Sequence, residues 1–319
     1  MELTGLLSYL IFFLTLAGIY ALLSLGLNVQ WGYTGMLNIG IAAFFAVGAY
    51  TSAILCSPAN AIPGGFGLPI VVGMLTAMLS AGVLALLIGL ITLNLRSDYL
   101  AIASIGIAEI VRLFLKNEDW LTNGVRGMAG IPKPLTGAGQ ALDDIAYLGL
   151  VLVLIILLYL ACERAYRSPW GRVLRAIRDK EIAASAMGKN TLAFRLQAFV
   201  LGSAIMGLAG AVYAHFIGFI SPEAFDPLFA TFLVWVMLIA GGSGNNRGAI
   251  LGAVIIWGVW SMTEYFTSRL PAEYVTQGAA LRVFLIGLLL QIILLLRPQG
   301  LLPEVSSDRR PATRHNTAS

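Results

Sequence analysis

Long apolar segments, separated by short polar or glycine-rich links, follow one another along almost the whole chain. A helix needs about 20 residues to cross the hydrocarbon core of a bilayer, and most of the segments approach or exceed that length. They lack the two-residue alternation of a membrane β-barrel, so the pattern predicts helices, the other backbone form that lipid tolerates. The predicted fold class is all-α, a polytopic transmembrane helical bundle of about 8–10 spans. The predicted spans are roughly Leu6–Leu27, Met36–Cys56, Leu68–Leu95, Tyr99–Lys116, Ile145–Cys162, Leu196–Phe219, Leu228–Ala240, Ala249–Tyr265 and Val283–Leu296.

Two glycine-rich stretches interrupt this pattern and predict places where helices break. Gly32–Gly40 separates the first two spans, and Gly241–Gly252 follows the segment Leu228–Ala240, which is short for a full crossing. We expect broken or re-entrant helices at both, since irregular backbone is tolerated at membrane depth where protein or water surrounds it. For the first stretch, a tight cytoplasmic turn is an equally good interpretation.

The composition excludes an ordinary soluble fold. Hydrophobic residues make up 58% of the 319 residues and charged residues 11%, whereas soluble domains carry about 25% charged residues. No Asp, Glu, Lys or Arg occurs between Glu2 and Arg96. The first apolar segment follows no basic region and precedes no small-residue cleavage site, so we expect a first span rather than a removable signal peptide.

The charges in the links predict the orientation and the domains. Residues 163–195 carry an excess of Lys and Arg, and basic residues also follow the last span, so both regions should be cytoplasmic. The N-terminus then lies outside, and Cys56 and Cys162 lie at opposite faces, which argues against a disulfide. We predict one transmembrane domain, residues 1–303, that includes the cytoplasmic loop 163–195, and a disordered cytoplasmic tail, residues 304–319. The net charge of +4 fits this topology and contact with membrane lipid, so no nucleic-acid partner is expected.

The motifs that would give the chain a catalytic role or a cofactor are absent from the sequence. The phosphate-binding pattern G-x-x-x-x-G-K-[ST] does not occur, because Gly188-Lys189 is followed by Asn190 and no glycine stands at the upstream position. The zinc-protease pattern H-E-x-x-H and the nucleophile pattern G-x-S-x-G are also missing. With two His and two Cys and no metal-ligand spacing, we expect no catalytic residue, no metal and no cofactor.

The cytoplasmic loop contains a predicted amphipathic helix. Pro169 can start this helix, Gly188 can end it, and three arginines recur at three-residue spacing along one face. Such a helix can dock into a groove on a partner protein or anchor on anionic lipid, and the residues alone favour neither. The residues of this candidate coupling loop are Arg172, Arg175, Arg178, Glu181, Ala183, Ala184 and Gly188.

Polar residues within the predicted spans are candidates for a translocation path. Glu109 and Arg112 lie three residues apart near mid-span and can neutralise each other, so they either line the path or form a buried structural pair, which we prefer. Thr34 and Asn38 lie in the first glycine-rich break, where backbone groups could meet the charged ends of a substrate. His215 lies near the outer end of its span, and we interpret it as an interfacial residue rather than a ligand.

Several runs of residues together resemble a known transporter family. Ala183-Ala184, preceded by Glu181 and followed by Gly188, is similar to the EAA loop of bacterial ABC importer permeases, although Ile182 stands where that loop usually has an acidic residue. The further runs are Gly32–Met36, Ala42–Phe45, Gly48–Tyr50, Ala108–Arg112, Gly130–Pro132, Gly218–Pro222, Gly241–Gly244 and Arg297–Leu301. In this order they resemble the branched-chain (hydrophobic) amino-acid permease family of ABC importers, specifically the M-type member of its permease pair.

The resemblance implies a permease subunit that moves hydrophobic or neutral amino acids across the bacterial cytoplasmic (inner) membrane, with a periplasmic N-terminus. The implied partners are a second homologous permease, two cytoplasmic ATP-binding subunits that hold the coupling loop and hydrolyse the ATP, and a periplasmic substrate-binding protein. Ile41 stands where the family commonly has a histidine, so a urea or short-chain amide permease of the same family is an open alternative. A stand-alone secondary transporter is the other alternative, although Glu109 is its only clear mid-membrane carboxylate.

Overall fold

The computed structural model describes residues 2–59, 65–93, 97–137, 139–226, 228–267, 271 and 275–304. Helices make up almost all of the regular structure of these residues. In chain order they are α1 (Glu2–Leu27), α2 (Ile41–Cys56), α3 (Ile70–Thr92), α4 (Ser97–Asn117), α5 (Asp119–Thr122), α6 (Gln140–Arg167), α7 (Pro169–Ala186), α8 (Thr191–Ile217), α9 (Leu233–Gly241), α10 (Asn246–Thr267) and α11 (Val275–Leu296). Of the predicted tail, residues 305–319 lie outside the described residues.

The predicted all-α membrane bundle is confirmed. In the described ranges, five helices are long and apolar enough to cross a membrane, namely Leu7–Gly32, which extends α1, and α3, α6, α8 and α10. Three shorter helices are apolar as well, namely α2 and the segments Ala230–Gly241 and Ala280–Leu296. The helix α4 corresponds to a further predicted span, but its second half carries Glu109, Arg112 and Lys116.

The centre of the bundle is formed by α1 and α8. The helix α8 packs against α3, α2 and α1, and α1 also packs against α10 and α6. Glycines allow this close packing: a Cβ at Gly48 of α2 would overlap the carbonyl oxygen of Gly207, and a Cβ at Gly210 would overlap that of Phe45. The backbones of α2 and α8 therefore lie almost in contact, as is common where membrane helices meet through small residues.

The outward faces of α3 and α6 are apolar. Leu79 and Ile91 of α3 and Leu157 of α6 are among the most exposed large side chains of the structure. This exposure would be costly in water, but lipid tails are as apolar as leucine, so it costs nothing in a bilayer. The surface of these helices therefore fits a protein surrounded by lipid.

Helices are interrupted at both predicted stretches, at residues 35–40 between α1 and α2 and at residues 242–245 between α9 and α10. A π-helical turn, Asn28–Gly32, continues α1, and residues 35–40 have no regular structure before α2 begins. At the second stretch α10 is continuous from Asn246, and its glycines serve close packing, because a Cβ at Gly252 would overlap the carbonyl oxygen of Met237 on α9. Another π-helical turn, Leu228–Phe232, precedes α9 and forms the first part of the short predicted span Leu228–Ala240.

The links between the long helices fall at two ends of the bundle. We call one the α7 end; it carries α7, residues 33–40, the α9–α10 link and the segment after α11. The other, the far end, carries two short strands, β1 (Met128–Ala129) and β2 (Phe219–Ile220), which pair antiparallel with Met128 opposite Ile220. Cys56 lies at the far end of α2 and Cys162 near the α7 end of α6, and both are buried free thiols.

Candidate functional site

The break between α1 and α2, residues 28–40, is a buried polar segment that we call the polar break. Asn28 accepts a hydrogen bond from the Gly244 amide at 2.8 Å and donates to Asn246 Oδ1 at 2.9 Å. The Tyr33 hydroxyl donates to the same Asn246 oxygen at 2.7 Å, and Asn246 Nδ2 donates to Glu163 at 3.1 Å. The polar break is thus held against the α9–α10 link and the end of α6.

The other half of the polar break is held by α8. Gln30 Nε2 donates to the Phe199 carbonyl and to Ser203 Oγ, both at 2.9 Å, and Gln30 Oε1 accepts from Asn38 Nδ2 at 2.8 Å. Thr34 donates to the Gln30 carbonyl. The candidate path residues Thr34 and Asn38 are therefore both buried and already hydrogen-bonded. The polar groups are satisfied by one another, which is what burial inside a membrane protein requires.

Glu109 and Arg112 form the expected ion pair, but they lie closer to the far end than expected. Arg112 donates to both oxygens of Glu109, at 2.6 and 2.9 Å, and lies 3.4 Å from Glu223. Lys116 lies 2.8 Å from Glu223 and is the fourth member of this ionic cluster. Its contact lowers the pKa of the Glu223 carboxyl. The polar break reaches α4 only at Ser104, whose hydroxyl accepts from the Ile39 amide. The two pairs of candidate path residues are therefore at different levels of the bundle.

The helix α7 follows its sequence signals, with one exception. Pro169 is its first residue, and the Ser168 hydroxyl caps it by accepting from a backbone amide of the first turn. At Lys180 the backbone leaves the helical region (φ −153°, ψ 83°), so α7 consists of two helical pieces joined by a bend. Glu181 begins the second piece and pairs with Arg195 of α8 at 3.2 Å.

Arg178 connects α7 to the polar break. Its guanidinium donates to the Gly32 carbonyl and pairs with Glu304 at 2.9 Å, while its Cγ lies against Gly35, whose φ of +72° favours glycine. Burial acts to lower the pKa of Arg178, but Glu304 outweighs it and the pKa is raised. Glu304 also accepts from the Tyr166 hydroxyl at 2.7 Å. One arginine thus joins α7, the polar break and the segment after α11.

The other two arginines of α7 contact the end of α6. The guanidinium of Arg175 lies 4.0 Å from the centre of the Tyr166 ring, a cation–π contact. Arg172 is exposed and donates to the Arg167 carbonyl at 3.2 Å. Arg175 and Arg178 therefore face the bundle, whereas Arg172 is exposed.

The second piece of α7 exposes apolar side chains at the α7 end. Ile182 is 87% exposed and Met187 81% exposed, although both are large and hydrophobic. Ala183 is exposed between them, whereas Ala184 is buried. Gly188 has a φ of +78°, which ends the helix as expected. We call the exposed residues 182–188 the docking surface.

His215 lies in the last turn of α8 at the far end, as expected, and its side chain is fully buried in the protein. Nδ1 lies 2.7 Å from the Pro132 carbonyl, which can only accept, so the proton is on Nδ1 and Nε2 accepts from the Ser52 hydroxyl at 2.8 Å. Neither ring nitrogen is free to bind a ligand. Within the described ranges, no group of three or more His, Cys, Asp or Glu is placed to hold a metal ion.

Several residues of the site were not identified from the sequence. Gln30 has no local signal in the sequence, because its partner Ser203 lies 173 residues further along the chain. Asn246 and Glu304 carried no signal, since each stands alone in a link and acquires its partners only through the fold. Tyr166, just before Pro169, could have been noticed as an aromatic residue beside an arginine-rich helix.

Comparison with known proteins identifies the family. The family described as the permease component of branched-chain amino acid transport systems matches residues 9–294. The chain belongs to this family. No solved structure matches the chain.

Members of the permease family with curated descriptions align with most of the chain. The high-affinity branched-chain amino acid transport system permease protein LivM of Escherichia coli is 33% identical over 316 residues, covering 91% of this chain and 69% of LivM. A probable LivM permease of Methanocaldococcus jannaschii is 29% identical, covering 90% of this chain and 91% of its own. The high-affinity branched-chain amino acid transport system permease protein LivH of E. coli is 26% identical and covers 91% of this chain and 94% of its own. The expected membership of the branched-chain permease family is confirmed.

Proposed function

We propose that the chain is a membrane-spanning permease subunit of an ABC importer that moves branched-chain or other hydrophobic amino acids across the cytoplasmic membrane. The observation that carries the proposal is the alignment with LivM over nine-tenths of the chain, at 33% identity. The helical bundle, with its apolar outer faces, provides the membrane-embedded half of such a machine. The chain itself catalyses no reaction and needs no cofactor.

The proposed partners follow from what the chain lacks and from how its relatives are described. The sequence has no phosphate-binding loop, so separate ATP-binding subunits have to supply the energy. The E. coli system has two permease proteins, LivM and LivH, and both align with this chain, which supports pairing with a second, homologous permease. A substrate-binding protein delivers the amino acid at the far end, which we place in the periplasm together with the N-terminus.

The proposed mechanism uses the docking surface, α7 and the polar break in series. The ATP-binding subunits bind residues 182–188. When ATP brings the two subunits together, these residues move with them towards each other. The bend at Lys180 and the bonds of Arg178 pass this movement to the Gly32 carbonyl. The polar break then shifts between two arrangements, one of which opens the hydrogen-bonded groups of Thr34 and Asn38 to the substrate. Glu109 and Arg112 belong to the path on the far side.

Uptake of labelled substrates tests the proposed function. Cells that lack the chain should lose ATP-dependent uptake of leucine, isoleucine and valine, and the restored gene should return it. Urea uptake should be the same in both strains. Uptake of urea alone would identify the chain as a urea permease of the same family. Amino-acid uptake that continues after depletion of the ATP-binding subunits would identify a secondary transporter.

A charge on the docking surface tests the proposed coupling. Ile182→Glu places a carboxylate at an apolar contact without disturbing the bundle, because the side chain is exposed. We expect uptake to be lost and the ATP-binding subunits to dissociate, while the chain stays inserted. Val125→Glu, an exposed apolar position of the far-end link, is the matched control and should leave the ATP-binding subunits bound. A substitution at Gly188 is a poorer test, since its positive φ would strain any other residue.

A further inference from the structure

The helix α4 has an outward face that nothing in the described chain covers. Its main helical neighbour is α2, and its other contacts are with the short turns at the far end. The opposite side of α4 exposes large apolar residues at helical spacing, together with an exposed glycine. These residues are Tyr99, Ile102, Gly106, Ile110 and Leu113. We call them, with Glu109, the α4 face.

Glu109 makes the α4 face unsuitable for contact with lipid. Its side chain is 38% exposed, and Arg112, its partner, lies one turn further along the same helix. Ionisable groups in membrane-spanning helices are costly and almost always face protein or water. The outward face of α3 offers the contrast, since α3 contains no charged residue at all. Lipid can therefore cover α3, whereas the α4 face has to meet protein or water at Glu109.

Gly106 provides the geometry for such a partner. A Cβ at Gly106 would meet no atom within 4 Å, so the backbone of α4 is open to an approaching helix. Membrane helices associate through small residues that allow close approach, and polar groups beside them add hydrogen bonds across the contact. Gly106 lies in the middle of α4 and one turn from Glu109, so both features act on the same neighbour.

We propose that the α4 face is the surface that binds the second permease subunit. The inference rests on the proposed function, which supplies a homologous permease as the partner. The partner helix crosses α4 at Gly106, packs against Ile102 and Ile110, and presents a hydrogen-bond donor or a cation to Glu109. ATP-binding subunits and a substrate-binding protein cannot occupy this surface, because its centre lies half-way along a spanning helix, away from both ends.

Site-specific cross-linking in membranes that contain the complete transporter tests the assignment. Ile102→Cys and Ile110→Cys, each labelled with a thiol-attached benzophenone, place the probe on the α4 face. Leu79→Cys on α3 and Leu157→Cys on α6 are matched controls, since the four native side chains are 68%, 66%, 67% and 58% exposed. The native cysteines are buried and should not react. Irradiation should join the α4 positions, and not the controls, to a permease chain that mass spectrometry identifies.

Lipid adducts alone at the α4 positions, or equal permease adducts from α3 and α6, would overturn the assignment. Gly106→Trp gives a second readout, and it should weaken co-purification of the second permease by about tenfold or more. Gly149→Trp on α6, where a Cβ also meets nothing within 4 Å, should leave co-purification unchanged. Unchanged co-purification of Gly106→Trp would equally overturn the assignment. If the wild type shows no ATP-dependent amino-acid uptake, the proposed function fails, whatever the cross-links show.

Discussion

At the scale of single residues, the proposed coupling depends on the contacts of Arg178. Arg178→Ala removes the bonds to the Gly32 carbonyl and to Glu304 and leaves the docking surface intact. Hydrogen bonds to a charged group contribute about 1.5–3 kcal/mol each, so the link should come apart. We expect uptake to fall by at least about tenfold, while the ATP-binding subunits still co-purify and still hydrolyse ATP. Uptake and ATP hydrolysis, measured together in proteoliposomes, distinguish this uncoupling from loss of assembly.

Two further variants control the Arg178 experiment. Arg172→Ala removes an exposed arginine of the same helix, whose side chain donates to the Arg167 carbonyl. This variant should transport normally. Arg178→Lys keeps the charge but not the planar fork, so it should recover only part of the uptake. Normal uptake by Arg178→Ala would show that movement reaches the polar break by another route.

His215 is a structural residue, and its energetic coupling to Ser52 can be measured. His215→Ala removes the partner of the Pro132 carbonyl and leaves the Ser52 hydroxyl only its weak contact with Cys56 Sγ at 4.0 Å. Buried groups that lose a partner cost about 1–3 kcal/mol, so the unfolding temperature in detergent should fall. Ser52→Ala should have a smaller effect, and the double variant should be less destabilised than the sum of the two. Additive effects would mean that the Ser52–His215 bond does not form.

At the scale of elements, the contact between α2 and α8 depends on glycine. Gly48→Ala adds a methyl group that would overlap the backbone of Gly207, and backbone cannot move aside as a flexible side chain can. Overpacking of this kind costs about 1–3 kcal/mol, so the thermal midpoint should fall. Gly149→Ala, on the open face of α6, should leave the midpoint unchanged or raise it, since alanine favours helix. Equal midpoints for the two variants would contradict the close contact.

The sequence predicted the ends of α7 correctly but not its bend. Pro169 and Gly188 act locally, through a fixed φ and a positive φ, so the start and stop signals can be recognised in the sequence. Residues 172–187, which include the bend at Lys180, contain neither proline nor glycine. On either side of the bend, Arg178 is bonded to the polar break and Glu181 to Arg195 of α8, so the tertiary contacts bend the helix. A sequence carries no local signal for a bend of this origin.

At the scale of the whole molecule, hydropathy predicted the spans but not their positions in the bundle. The buried helix α8 and the peripheral helix α6 are both long and apolar, because lipid is as apolar as the interior of the protein. Amphipathic patterns therefore do not mark the core, as they do in a soluble protein. Gln30 could not be paired with Ser203 from the sequence, because 173 residues separate them. The Glu109–Arg112 pair was predictable because its spacing within one helix is local.

The orientation of the bundle can be tested with two exposed positions. Ile182→Cys places a thiol at the α7 end and Val125→Cys places one at the far end, while the native cysteines are buried. The excess of Lys and Arg in residues 163–195 predicts that the α7 end is cytoplasmic. In spheroplasts, whose cytoplasmic membrane is intact, a membrane-impermeant maleimide should therefore label Val125→Cys and not Ile182→Cys. After permeabilisation it should label Ile182→Cys as well, but less where the ATP-binding subunits cover the docking surface. The reverse pattern would put α7 outside the cell, where no ATP-binding subunit could reach it. The proposed coupling, and with it ATP as the energy source, would then be ruled out.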